Sequence, residues 1–301
     1  MVRPPTDSPP AATPSVVRHF GRLQLLQLLG KSARTMAWRV RDPHTGDALM
    51  LVLPRVQPAG ADALDYWQQC ARRAARLSHP QLADVVELGV QDGWPFVTHR
   101  LADTATLAER LPQAGLPSPE AAALAIDCLR GLAFAHEAGV SHDDLQPFLL
   151  LVNDHGALQV AGLAVASEQI TAGDAHRNAG AVDPVALRAR REAAERDVLA
   201  CGIVLHTLLA GPDVMSSADV QRVAARMPPE GKEPLRLPWT TGHPVGEALR
   251  AIVNRSTDRQ PQRRYRNART LLRALEGWLQ AESEEGGGPV ALLLNRLRSS
   301  G

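Results

Sequence analysis

A change of rhythm near residue 100 constrains this 301-residue chain more than any other feature. From His19 to Arg100 the apolar residues come in short runs broken by turns: "LQLLQLLG", "AWRVRD", "ALMLVLP", "DVVELGVQDG", "WPFVTHR". Runs of that length between turn residues read as strands. One stretch breaks the pattern, "ADALDYWQQCARRAARLS" at 61–78, where apolar positions fall at helical spacing. From about Leu107 onward the spacing is helical. "PSPEAAALAIDCLRGLAFAHEAG" (117–139) opens with Ser118 as an N-cap and Pro119 at the first helical position, and stops at Gly139. A buried helix follows near 197–210, then two amphipathic helices to about Ala281. The expected fold is α+β in two lobes: a small β-rich lobe with one helix at 18–100, and a larger helical lobe at 101–281. Around them lie a Pro-rich tail at 1–17, expected to be disordered, and an acidic, Gly-rich linker at 282–288. An apolar-basic segment at 289–301 closes the chain. It either packs back as an amphipathic helix or opens a further domain.

Charge and cysteine usage narrow the function classes. A formal net charge of +1 gives no electrostatic case for nucleic acid or an anionic membrane, and 4% aromatic residues leave no stacking platform for single strands. The longest apolar run, "VLACGIVLHTLLAG" at 198–211, is too short to span a bilayer. Cys70, Cys128 and Cys201 are far apart and form no CxxC, which fits a reduced cytoplasmic setting with structural thiols. "HDD" (142–144) with His155 invites a metal-hydrolase reading, but a tight turn with Pro147 behind it is a poor source of ligands, and no metal is expected.

Five motifs fall in order at fitting intervals. "HPQL" (79–82) follows the first helix, "HDDLQPFL" (142–149) forms a loop, and "LQVAGLA" (158–164) runs from a strand into a glycine. "RDVLACGIVLHTLLAG" (196–211) is an Asp-led buried helix, and "PQRRYRNARTLLRALEGWL" (261–279) is a closing helix preceded by Pro-x-x-Arg. Together they resemble a protein kinase domain of the bacterial serine/threonine type, over about residues 20–280. The opening of 289–301 is similar, over about ten residues, to the first helix of an HDOD-type signalling domain.

The resemblance implies a set of charges that phosphoryl transfer on this fold uses: a strand Lys paired with a helix Glu, two metal ligands, and a loop Asp for the attacking hydroxyl. It places the Lys at Leu51, the Glu at Cys70, the metal-binding Asn at Leu149 and the second metal ligand at Gly162. The glycine loop reads Gly30, Ser32 and Thr35, and Leu49 replaces the small residue above the adenine. Gatekeeper and hinge fall at His99 and Arg100, expected to plug the cleft as polar contacts. The Arg that reads a phosphorylated activation loop is Asp143. Asp144 keeps the base position, with a structural role as acceptor expected. Asp197 and Arg264 persist as architecture, and the usual partner of Arg264 reads Val185. The resulting expectation is a pseudokinase: not an enzyme, without Mg-ATP or other cofactor, regulating by binding a protein partner or an attached signalling domain. A metal-independent nucleotide-binding switch and an atypical serine/threonine kinase stand as alternatives.

Overall fold

The computed structural model describes residues 18–101, 104–166, 184–212, 239, 241–258, 260–286 and 288–299. The tail at 1–17, the positions Ser167, Thr171, Asp183 and Lys232, and the side chain of Val185 lie outside what is described. The fold is α+β in two lobes.

The small lobe is a six-stranded antiparallel sheet. It contains β1 (Arg18–Phe20), β2 (Leu23–Lys31), β3 (Thr35–Arg41), β4 (Ala48–Pro54), β5 (Val85–Gln91) and β6 (Trp94–Arg100), in the order β1-β2-β3-β4-β6-β5. Helix α1 (Ala61–Ala74) packs on β5 and β6 through Trp67 and Ala71, and its last residue, Ala74, joins the core of the larger lobe. It stops four residues short of the predicted Ser78: the chain tightens into a turn, Leu77 N–H to Ala74 O at 3.0 Å, and reaches Pro80, before which helical backbone is disfavoured.

The larger lobe begins with β7 (Thr104–Thr106) and a one-turn helix α2 (Leu107–Arg110), closed by a reciprocal cap between Thr106 and Glu109. Helix α3 (Ser118–Glu137) is its axis, buried on nearly every side. Ser118 is its first helical residue rather than its cap; Pro117 holds the cap position. Strand β8 (Leu150–Asn153) pairs with β7 on one side and β9 (Leu158–Val160) on the other, forming a second sheet. Then come α4 (Pro184–Ala210), α5 (Glu247–Ser256), α6 (Ala268–Gly286) and α7 (Gly288–Ser299). The linker expected at 282–288 is largely helix, because the acidic run continues α6 to Gly286 with Gln280 bonded to Glu284 one turn on. Helix α7 lies against α3 and α6 and buries Leu297. Arg130 of α3 donates to the Leu297 carbonyl, and Arg296 reaches the buried Asp127 at 3.1 Å. Among the described residues no helix is long and apolar enough to cross a membrane.

Candidate functional site

The groove between the lobes is built from three pieces: the β2–β3 turn above, the 141–149 loop below, and the 161–166 segment at the back. Asp197, at the middle of α4, organises the lower piece. Its carboxylate accepts the backbone N–H groups of His142 (2.7 Å) and Asp143 (2.8 Å) and faces His136 Nε2 at 2.9 Å. Burial pushes its pKa up, but His136, His142 and the N–H donors outweigh that and hold it below the ordinary value. The bracing is needed because Asp143 sits at φ 70, a left-handed conformation that costs a non-glycine residue about 1 kcal/mol or more. The Asp143 carboxylate itself is engaged by Ser141 Oγ (2.8 Å) and Arg196 (3.2 Å).

Two histidines stitch the back of the groove. His142 Nε2 lies 2.9 Å from the Ala161 carbonyl, and its Nδ1 accepts the Asp144 N–H at 3.3 Å. His99 Nδ1 faces the Ala83 and Asp84 carbonyls at 3.2 and 3.1 Å, while Nε2 accepts the Gly162 N–H at 3.0 Å. An imidazole that donates at one nitrogen and accepts at the other is neutral. Burial accordingly pulls the His99 pKa down to about 4. At the gatekeeper position His99 thus clamps the 161–164 segment to the 83–84 backbone. Arg100 does not share that role: it is exposed at the strand end.

The groove interior is apolar and draws residues from both lobes. One cluster joins Leu29, Ala37, Met50, Val52, Trp67, Ala71 and Val97 above to Phe148, Leu149, Leu151, Ala161 and Val165 below. Trp67 Nε1 also donates to the Val165 carbonyl at 2.9 Å, tying α1 to the back segment. A Cβ on Gly30 would stand 2.3 Å from the Phe148 ring, so the β2 glycine is where the upper lobe rests on the lower. A Cβ on Gly162 (φ +77) would meet Leu149 at 3.3 Å and Val52 at 3.4 Å.

That last contact corrects the strand assignment. Leu49 and Leu51, expected over the adenine and at the Lys position, face the opposite side of β4, in a cluster with Leu23, Val40, Leu53 and Phe96. The residues that face the groove are Met50, opposite His99, and Val52, opposite Ala37. Alternate strand residues point to opposite faces, so a shift of one position exchanges the whole set. The groove side of β4 is apolar under either register.

The remaining residues have these surroundings. Cys70 is half-buried beside Tyr66, and burial pushes its thiol up, so it is neutral. Leu149 is fully buried. Lys31 is exposed at the end of β2. Arg264 is pulled down by burial, with Glu195 and Asp258 as the carboxylates acting on it. Glu195 comes from the run that precedes Asp197.

Asp144 has the surroundings that sequence reasoning missed. Its Oδ2 accepts from Ser32 Oγ at 2.5 Å and from Thr35 Oγ1 at 2.6 Å, and its Oδ1 from Gln146 at 3.1 Å. Beside it Arg34 Nη1 donates to the Asp143 carbonyl at 2.6 Å, and Nη2 to that of Ala166. Ser32, Arg34 and Thr35 are more than 100 residues from the groups they bind, and no local spacing announces these contacts. A magnesium ion held in the family's manner needs oxygen ligands at the Leu149 and Gly162 positions. Neither side chain supplies one, so the residues here do not fit that ion. Among the described residues no cluster of three His, Cys, Asp or Glu is arranged to hold a metal.

Comparison with known proteins bears on the same site. The family profile described as protein kinase domain matches residues 68–274, more than half of the chain. A probable serine/threonine-protein kinase of Clostridium perfringens is 22% identical over 262 residues, 85% of this chain and 38% of that protein. The probable serine/threonine-protein kinase PknB of Lactococcus lactis is 24% identical, covering 83% of this chain and 41% of its own. Serine/threonine-protein kinase PknL of Mycobacterium tuberculosis is 34% identical over 170 residues, 52% of this chain and 42% of its own. The chain thus spans well under half the length of these curated relatives. Their names correct two expectations, that the chain is not an enzyme and that it takes no Mg-ATP. Relatives named as protein kinases point to an enzyme, and that activity runs on Mg-ATP.

Proposed function

Because the chain belongs to the protein kinase domain family, we propose that it is a kinase-type signalling domain that regulates by binding a protein partner, starting from a closed inter-lobe groove. The observation that carries this reading is the apolar cluster running unbroken from β4 and α1 to Phe148 and Leu149. A groove packed as core leaves the outer surfaces to do the work, namely the exposed face of α1 and the larger-lobe helices. The three unpaired thiols fit a cytoplasmic setting. In-cell cross-linking of the full chain tests the proposal. A protein captured by the wild type and lost on Arg72→Glu/Arg73→Glu, two exposed α1 positions, is the expected result. Equal capture by wild type and variant counts against it.

The names of the relatives and the presence of Asp144 favour a second reading, phosphoryl transfer to a serine or threonine hydroxyl with Asp144 as base. Its test is transfer of radiolabelled phosphate from Mg-ATP to dephosphorylated casein. Transfer that falls at least a hundredfold in Asp144→Asn supports it, and transfer indifferent to that change removes it.

A further inference from the structure

The contact between the β2–β3 turn and Asp144 goes beyond packing. Ser32 Oγ accepts the N–H groups of Arg34 and Thr35 at 2.9 Å each, and Ser32 N–H closes on the Thr35 carbonyl at 2.9 Å. The turn is thus folded on its own hydroxyl, and that hydroxyl still has its proton to give. Arg55 Nη1 braces the turn from behind, bonding the Ser32 carbonyl at 2.9 Å. Thr35 is fully buried and Asp144 nearly so, so the Thr35 hydroxyl meets the carboxylate away from bulk water, while Ser32 is half-buried at the rim.

We propose that the Ser32–Thr35 turn is a built-in pseudosubstrate strap: the Ser32 and Thr35 hydroxyls hold the place at Asp144 that a serine or threonine hydroxyl of another polypeptide would take, and Arg34 anchors the strap to the opposite lobe. The strap deepens the second reading above and takes from it the placement of Asp144 as base. A base carboxylate orients an incoming hydroxyl by accepting its proton, and two hydroxyls of this chain already occupy that acceptor. Arg34 forks between the Asp143 and Ala166 carbonyls, so lifting the turn frees the loop and the back segment together. A polypeptide segment that reaches Asp144 must displace the strap first.

The test compares the wild type with Ser32→Ala/Thr35→Val and, separately, Arg34→Lys. The lysine keeps the charge but cannot bridge two carbonyls. Amide hydrogen exchange at 141–146 should rise at least tenfold in both variants, with α3 amides at 118–137 unchanged. Unchanged exchange at 141–146 in either folded variant overturns the strap. If the double variant loses protection throughout, Arg34→Lys decides alone. A second arm measures phosphate transfer to dephosphorylated casein with Mg-ATP. Transfer raised tenfold or more by the double variant supports the pseudosubstrate role, and transfer that is present but unraised overturns it. Absence of transfer from wild type and variants alike removes the reading of Asp144 as base, and the exchange arm then still decides whether the turn fastens the lobes.

Discussion

A buried imidazole that holds a loop in its neutral form makes that loop sensitive to pH. His99 accepts the Gly162 N–H only while Nε2 is unprotonated, and its surroundings set when that fails. Burial and the neighbouring His142 lower its pKa, while the Asp84 and Ala83 carbonyls and the Asp84 charge oppose them, leaving it at about 4 against 6.5 in the unfolded chain. A folded-state pKa below the unfolded one means that the unfolded chain binds more protons between those values. The stabilisation is therefore complete above pH 6.5 and is lost as pH falls from there towards 4, on the order of 3 kcal/mol in all. Urea unfolding at pH 7.5 and pH 4.5 checks this. The wild type should lose more stability over that interval than His99→Gln, which keeps a donor and an acceptor but does not titrate. An identical loss in both would show that the imidazole is not the titrating clamp.

Strand β4 shows what the sequence could and could not disclose at the scale of an element. "ALMLVLP" is apolar throughout, so it reads at once as a central strand, yet it lacks the polar–apolar alternation that says which side faces the groove. The His142–Leu149 and Asp197 motifs could be placed because their partners lie within one loop and one helix. The strap could not, because Ser32 and Asp144 are 112 residues apart in the chain. The register is testable by charge. A Lys at Val52 faces Gly162, and a Lys at Leu51 faces Val40 and Phe96. Val52→Lys with Gly162→Asp should therefore be more stable than the sum of the single changes by about 1 kcal/mol or more, whereas Leu51→Lys with Gly162→Asp should be additive. Coupling in the second pair and none in the first would restore the original assignment. The C-terminal helix offers a parallel case. Arg296 of α7 pairs with the buried Asp127 carboxylate, which also accepts the Leu158 N–H and feels the charge of Arg130. Arg296→Met removes the paired cation, leaving only the more distant Arg130 charge, and should cost about 3 kcal/mol in chemical unfolding. A cost under about 0.5 kcal/mol would mean that α7 does not hold this position in solution.

At the scale of the molecule, the two lobes meet through one apolar cluster, beside the separate core of the larger lobe. Phe148 sits under Gly30, Leu149 and Gly162 under Val52, and His99 closes the back, so the groove is packed by residues of both lobes. The sequence displayed the two-lobed frame through its change of periodicity and showed that the groove positions are apolar. It did not show that these residues meet, because packing across a groove is a tertiary fact that neither lobe's own spacing encodes. Contacts of this kind should open only with the protein as a whole, since parting the lobes exposes the side chains that hold each of them together. Native-state hydrogen exchange of the Gly162 amide, followed across a urea series below the unfolding transition, measures this directly. Gly162 should exchange with the same free energy and the same urea dependence as the buried α3 amides, that is, through global unfolding. Exchange through a much cheaper opening with little urea dependence would show that the groove parts on its own, and would contradict the closed interior.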